Sequence, residues 1–467
     1  MASSPKRDNP GDAVHRLQFV LRENRRSGKG GTYAVCSAHG AVIQAAIQQS
    51  IADESLLHVE STSSQVNQFG GYTSMAPGQF ADWIRSSAKK AGLAEDRILL
   101  GGDHLGPFPW RKEASSKALE KACALVRDCV AAGYQKIHLD ASMACADDPA
   151  PALPEQTIAA RAALLCQVAE DTHRKMASGS PEPVYVIGTE VPTPGGESHD
   201  ASELAVTQAE DVHRSMEVFH SAFASLGLHA AWERVIALVV QPGVDFAANS
   251  IIDYDRLKAR SLSAALSSHP GIVFEAHSTD YQSPQALTQM VAGHFSVLKV
   301  GPWLTFAFRE AVLALSAIEH ELPGKAHRRS QVREALDAAM LNDPSQWQSY
   351  YHGGEDEVRR DRIYSFSDRC RYYWNQSAVQ EELSRLLNNL RPSPIPLSLL
   401  SQFLPLEYGA IRAGELQAWP EQLIQHHIER VLQIYAGACG SADSRCGLSE
   451  SVPEHPANEF DTDPDER

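Results

Sequence analysis

No run of eighteen apolar residues occurs anywhere in the 467-residue chain, so no transmembrane helix is expected. The N-terminus lacks the apolar core of a signal peptide. The eight cysteines are scattered and form no CxxC pair, which excludes a small disulfide scaffold. Cys123 and Cys166 fall on apolar helical faces and read as reduced core residues. Positive charge is in deficit. The formal net charge is −16, which argues against a nucleic-acid partner. No GxxxxGK[ST] loop is present, which disfavours a nucleotide-dependent kinase. Together these absences lead to the expectation of a cytoplasmic protein with a small-molecule role.

What is there begins with 43% hydrophobic residues, enough for a large core. Three apolar runs end in acids or histidines: Leu99–Gly106, which holds Asp103 and His104; Val186–Pro192, which holds Glu190; and Val273–Asp280, which holds Glu275, His277 and Asp280. They belong to a longer series of β-branched, apolar runs at Tyr33–Cys36, Leu57–Glu60, Ile98–Leu100, Ile137–Asp140, Val184–Ile187, Val235–Val240, Ile272–Phe274 and Phe295–Val300. Helical periodicity separates them, as at Gln79–Ala91, Ala118–Ala132, Gln156–Ala169, Ala205–Ser225 and Pro284–Val291. Eight strands alternating with helices predict an α/β chain with a TIM-type (β/α)8 barrel. An open doubly wound sheet is the other arrangement this alternation allows.

The expected division is a polar N-terminal arm over 1–30, the barrel over 31–302, a helical extension packed on it over 303–438, and an acidic disordered tail over 439–467. Within the extension the clearest helices are Arg309–Leu322, Ser330–Leu341 and Leu423–Tyr435. The arm reads as frayed or as one short helix.

Strand ends that carry chemistry at one rim are how a barrel presents an active site. His104, Glu190 and His277 form a His₂Glu set, a recurrent catalytic zinc arrangement, so a divalent metal, zinc first, is the expected cofactor. Neighbours on a strand alternate faces. Asp103 is therefore expected to face away from the ion beside His104 and to move protons. Each residue alone reads equally well as a polar strand end that caps a helix. Asn67, Gln68, Asp140, Ser142, Gln241 and Asp280 complete a polar mouth suited to a polyhydroxylated substrate, although Asp140 or Ser142 also suits a helix cap. Thr193-Pro194-Gly195-Gly196 reads as a phosphate-approaching loop or a plain turn. Lys299 raises a Schiff-base alternative, against a buried ion pair with Glu275.

Long motifs in order give the chain a family likeness. Val35–His39, Gln65–Thr73, Gly101–Pro107, Lys136–Met143, Ile187–Pro192, Glu275–Gln282, Leu298–Pro302, Tyr364–Arg369 and Arg371–Trp374 closely resemble the Z subunit of class II D-tagatose-1,6-bisphosphate aldolases, the GatZ/KbaZ family. The likeness spans roughly residues 30–437; the arm and the tail depart from it. It implies a TIM-type barrel, a place in galactitol or N-acetylgalactosamine breakdown, an oligomeric assembly and a ketohexose phosphate substrate. It also implies a class II aldolase catalytic subunit as partner, since the Z subunit is usually described as supporting that subunit. Related proteins are regarded as metal-dependent ketohexose or ketohexose-phosphate 4-epimerases, and members have also been called tagatose-6-phosphate kinases. Aldol cleavage and 4-epimerisation share one chemical step, the breaking of C3–C4 with an enediolate left at C2–C3.

Overall fold

The computed structural model describes residues 12–149, 153–188, 204–322 and 328–440. Ten strands occur among them. β1 (Thr32–Val35), β2 (Leu57–Thr62), β3 (Ile98–Leu105), β4 (Lys136–Leu139), β5 (Val184–Ile187), β6 (Val235–Val240), β9 (Val273–Ala276) and β10 (Phe295–Val300) are all parallel. They close into a barrel, with β10 pairing β1 in register Ala34↔Lys299. β7 (Asp245–Phe246) and β8 (Ile251–Ile252) form a separate antiparallel ribbon after β6. The chain thus has the TIM-type (β/α)8 barrel, not the open sheet. The ribbon is the one strand pair that the alternation of strands and helices leaves unannounced.

Strand alternation divides the barrel's side chains. Outward residues such as Leu57, Val59, Leu100, Ile137 and Phe274 join the helices in one apolar shell. Inward residues of the lower barrel, including Leu99, Val184, Val186, Val239, Val273 and Val297, form a second cluster. That cluster needs a floor, and a helix at Ala13–Ser27 supplies it by burying Val14, Leu17 and Leu21 against these residues. Asp12 caps the helix, accepting from the His15 N–H at 3.0 Å. Part of the segment that reads as a polar arm is therefore structural.

Beyond β10 the described residues are helical to Ala438. The last helix, Pro420–Ala438, packs on Gly40–Ala52, Pro284–Ala292 and Pro302–Glu321. From it the Tyr435 hydroxyl donates to the Thr279 carbonyl at 2.8 Å, fastening the extension to the loop after β9. The tail beyond 440 and the Thr193–Gly196 loop lie outside the described residues.

Candidate active site

The upper barrel is lined by charge where the lower barrel is apolar. Inward positions on β2, β4, β9 and β10 carry Glu60, Lys136, Glu275 and Lys299, all buried. Lys136 Nζ lies 2.7 Å from Glu60 and 2.6 Å from Glu275. Lys299 Nζ contacts Glu60 closely, Asp103 at 2.9 Å and Glu275 at 3.6 Å. The Glu275–Lys299 pairing expected from sequence is thus the longest link of a larger network. Room for it is made by Gly101, which pairs Glu60 across β2 and β3. A Cβ there would stand 2.7 Å from the Glu60 side chain. Burial would raise the Glu60 carboxyl, but Lys136 and Lys299 outweigh it and hold it below the ordinary range. Burial likewise would lower Lys299, and Asp103 together with the other nearby anions raises it well above its usual value. Both lysines stay charged as members of a compensated cluster.

Above this layer sit three histidines. The His104, His138 and His277 rings lie 4.9–5.3 Å apart. Ligating atoms of Asp103, His138, Glu275 and His277 all fall within 4.8 Å of one another, close enough to share one cation. His138 Nδ1 lies 2.9 Å from Asp103 Oδ1, while its Nε2 is buried without a hydrogen-bond partner among the described residues. An orphaned imidazole nitrogen in an otherwise paired cluster fits a metal ligand. Burial brings His277 down to about 4, so its ring is neutral near neutral pH and has a lone pair to offer.

Asp103 does not face away from this group, as simple alternation predicts. The β3–β4 register shifts between Gly102 and Leu105, and His104 adopts a left-handed φ of 50°. That kink turns both Asp103 and His104 toward the cavity. A non-glycine residue in this region is strained by roughly 1–3 kcal/mol and persists only where its surroundings hold it. Here Asp140 does so, its Oδ2 lying 2.8 Å from His104 Nδ1 while Oδ1 accepts from the Ser142 amide and hydroxyl. His104 Nε2 is left 3.7 Å from Asp103 Oδ2. Burial opposes the charged ring, yet Asp103 and Asp140 raise its pKa.

The remaining sequence candidates divide. Asp280 lines the cavity and accepts from the Gly301 and Trp303 amides, and burial lifts it to about 6. Asn67 also lines it, but its Oδ1 accepts from Phe69 and Gly71 and so shapes its own loop. Gln68 turns to the Lys121 carbonyl, and Gln241 Oε1 accepts from Gly243 and Val244. Glu190 lies outside the described residues. Sequence reasoning misses His138, Glu60 and Lys136. The signal for His138 is present, because it shares a strand face with Asp140 two residues on.

The cluster opens into a cavity of about 720 Å³ whose outer wall includes Arg111, Lys112, Tyr350, Arg369, Arg371 and Tyr372. Comparisons with known proteins bear on the whole chain. The family model for the D-tagatose-1,6-bisphosphate aldolase subunit GatZ/KbaZ-like family matches residues 17–440. The match begins inside the plug helix, so that helix falls within the family's extent. A solved structure described as a probable tagatose 6 phosphate kinase from Sinorhizobium meliloti 1021 is 42% identical, with a TM-score of 0.81, covering 88% of this chain and 100% of that one. The YdjI aldolase from Escherichia coli K12 is 10% identical with a TM-score of 0.39, covering 78% of this chain and 96% of its own. Fructose-bisphosphate aldolase from Campylobacter jejuni is 13% identical with a TM-score of 0.40, covering 81% and 92%. Values that low are no basis for assigning activity.

Proposed function

This chain belongs to the D-tagatose-1,6-bisphosphate aldolase subunit GatZ/KbaZ-like family, and from that premise we propose that it carries metal-dependent aldol chemistry on a ketohexose phosphate itself. The observation behind this is the buried donor group of Asp103, His138, Glu275 and His277, of which Asp103 and His277 line the cavity. A chain that only supports a separate catalytic subunit has no need to bury such a group. A divalent ion, zinc first, held there supplies electrostatic stabilisation for negative charge developing on the C2 and C3 oxygens of the substrate.

The chain's own groups supply the rest. His104, oriented through Nδ1 by Asp140, presents Nε2 as the acid–base atom. It takes the C4 hydroxyl proton as C3–C4 breaks, the C4 carbonyl forms and the electron pair passes to the C2 carbonyl. The Lys299 ammonium, a cavity-lining cation, lies close to the same developing charge. Glu60 and Lys136 hold Lys299 and Glu275 in place from below. In this assignment His104 and Asp103 exchange the roles that alternation along the strand suggests. Return of the proton to the departing aldehyde's partner completes an aldolase cycle. Rotation of the aldehyde and re-addition gives the 4-epimer.

The test uses purified, metal-loaded protein with tagatose and fructose phosphates, with and without a class II aldolase subunit and with ATP as a control for the kinase name. Chelator-sensitive aldehyde release or C4 epimer formation by the chain alone is the expected result. Turnover that appears only with the added subunit, or only with ATP, would overturn the reading.

A further inference from the structure

Tyr364–Trp374 lies far from the barrel strands in sequence, yet it reaches the active-site cavity. It does so through a built turn. Asp368 takes a left-handed φ of 45°. Its carboxylate accepts from Arg309 at 2.6 Å and from the Thr305 hydroxyl at 2.5 Å, all three residues being buried. Both partners sit on the helix Pro302–Glu321 that follows β10. The strained residue is therefore pinned directly to the barrel.

What the turn presents is cationic. Arg369 is 4% exposed, stacks its guanidinium 3.3 Å from the Tyr350 ring centroid, and donates Nε to the Gln346 carbonyl. Its Nη1 is buried without a hydrogen-bond partner among the described residues, although the residue lines the cavity. Arg371 donates to the Tyr372 hydroxyl at 2.7 Å beside it. Across the opening, the turn after β3 adds Arg111 and Lys112, both exposed. The acids lining the same cavity are Asp103 and Asp280. Asp103 belongs to the charged floor and Asp280 is held by two amides, so neither neutralises the outer wall. A net positive pocket in a chain of charge −16 is a local device.

We propose that this outer wall is a phosphate-monoester subsite, built by Arg369 and Arg371 of the extension with Arg111 and Lys112 of the β3 turn, which selects phosphorylated ketohexoses. The unsatisfied Arg369 nitrogen calls for an anionic oxygen acceptor. Four cationic side chains around one opening match a dianion with three free oxygens better than a carboxylate, which a single bidentate arginine satisfies. The subsite rests on the proposed ketohexose chemistry for its substrate class, and it gives the helical extension a role in specificity.

Calorimetric titration of the full chain, metal-free and metal-loaded, with tagatose, tagatose 6-phosphate, tagaturonate and inorganic phosphate tests it. The phosphate ester should bind at least about 30-fold more tightly than tagatose, and inorganic phosphate should compete with it. Arg111→Gln with Lys112→Gln should weaken the phosphate ester by about 10-fold and leave tagatose within about twofold. Arg369→Gln should cost about 10- to 100-fold, with partial rescue by Arg369→Lys. If the Arg369 variants do not fold, the exposed double variant decides. Equal binding of tagatose and its phosphate, equal binding of tagaturonate, or a double variant without effect would overturn the subsite. Phosphate-selective binding without turnover would keep the subsite and sink the aldol reading. Turnover indifferent to phosphorylation would do the reverse.

Discussion

Replacing His138 by alanine removes a buried ring nitrogen that no described protein group satisfies. If that nitrogen serves a cation, His138→Ala should lose most of the bound metal, whereas Asp140→Asn should keep it and lower turnover by roughly 10²-fold or more. Plasma mass spectrometry of both variants separates the roles; equal metal loss in both would make Asp140 part of the ligand shell. Lys299 has a different signature. Lys299→Met leaves Glu60 and Glu275 short of a cation and should destabilise the fold by roughly 3 kcal/mol in urea unfolding. Borohydride with a ketose should trap no adduct on Lys299, and a trapped adduct would restore the Schiff-base route. His277 and Asp103 were legible in sequence because each ends an apolar run. The position of Asp103 within the donor group was not, because it depends on a left-handed φ at His104, which histidine adopts more often than most residues but still too rarely for the residue type to announce it. Glu60 and Lys136 were hidden for another reason: a charge inside a strand is read only once its partner on another strand is known.

Among the elements, the plug and the last helices make separable predictions. Leu17 is fully buried on the helix Ala13–Ser27, so Leu17→Ala should cost about 2–5 kcal/mol by thermal or urea unfolding. A negligible cost would show that the helix does not close the barrel floor. The helix Pro420–Ala438 carries His427, which faces Glu407 at 3.1 Å and Glu310 at 3.4 Å. Burial would lower the His427 pKa, and the two carboxylates outweigh it, raising it to about 9 from 6.5. A raised folded-state pKa means the pairing contributes fully below pH 6.5 and is lost as pH rises through 9. The melting temperature of wild type should therefore exceed that of His427→Gln at pH 6, with the gap closing by about pH 10. A gap that does not change with pH would remove the ion pairs from the account. Element identity was largely open to sequence, because β-branched runs and helical periodicity are local signals. Barrel closure was not, since it rests on β10 meeting β1 across the whole chain. Nor was the plug, whose polar surface masks four buried apolar positions, Ala13, Val14, Leu17 and Leu21.

At the scale of the molecule, the barrel separates its tasks by height. An apolar floor closed by the N-terminal helix carries a compensated layer of two lysines and two glutamates. Above that layer stand the histidines and Asp103, and a cationic outer wall shared by the β3 turn and the extension lies beyond. Among the described residues no helix is long and apolar enough to cross a membrane. The central claim is that one divalent ion sits on the donor group of this chain. Anomalous diffraction at the metal edge, from crystals of metal-loaded protein active in the ketohexose phosphate assay, tests that claim most directly. A single peak bounded by Asp103, His138, Glu275 and His277 is the predicted result. A peak elsewhere, or none in crystals that still turn over, would contradict it.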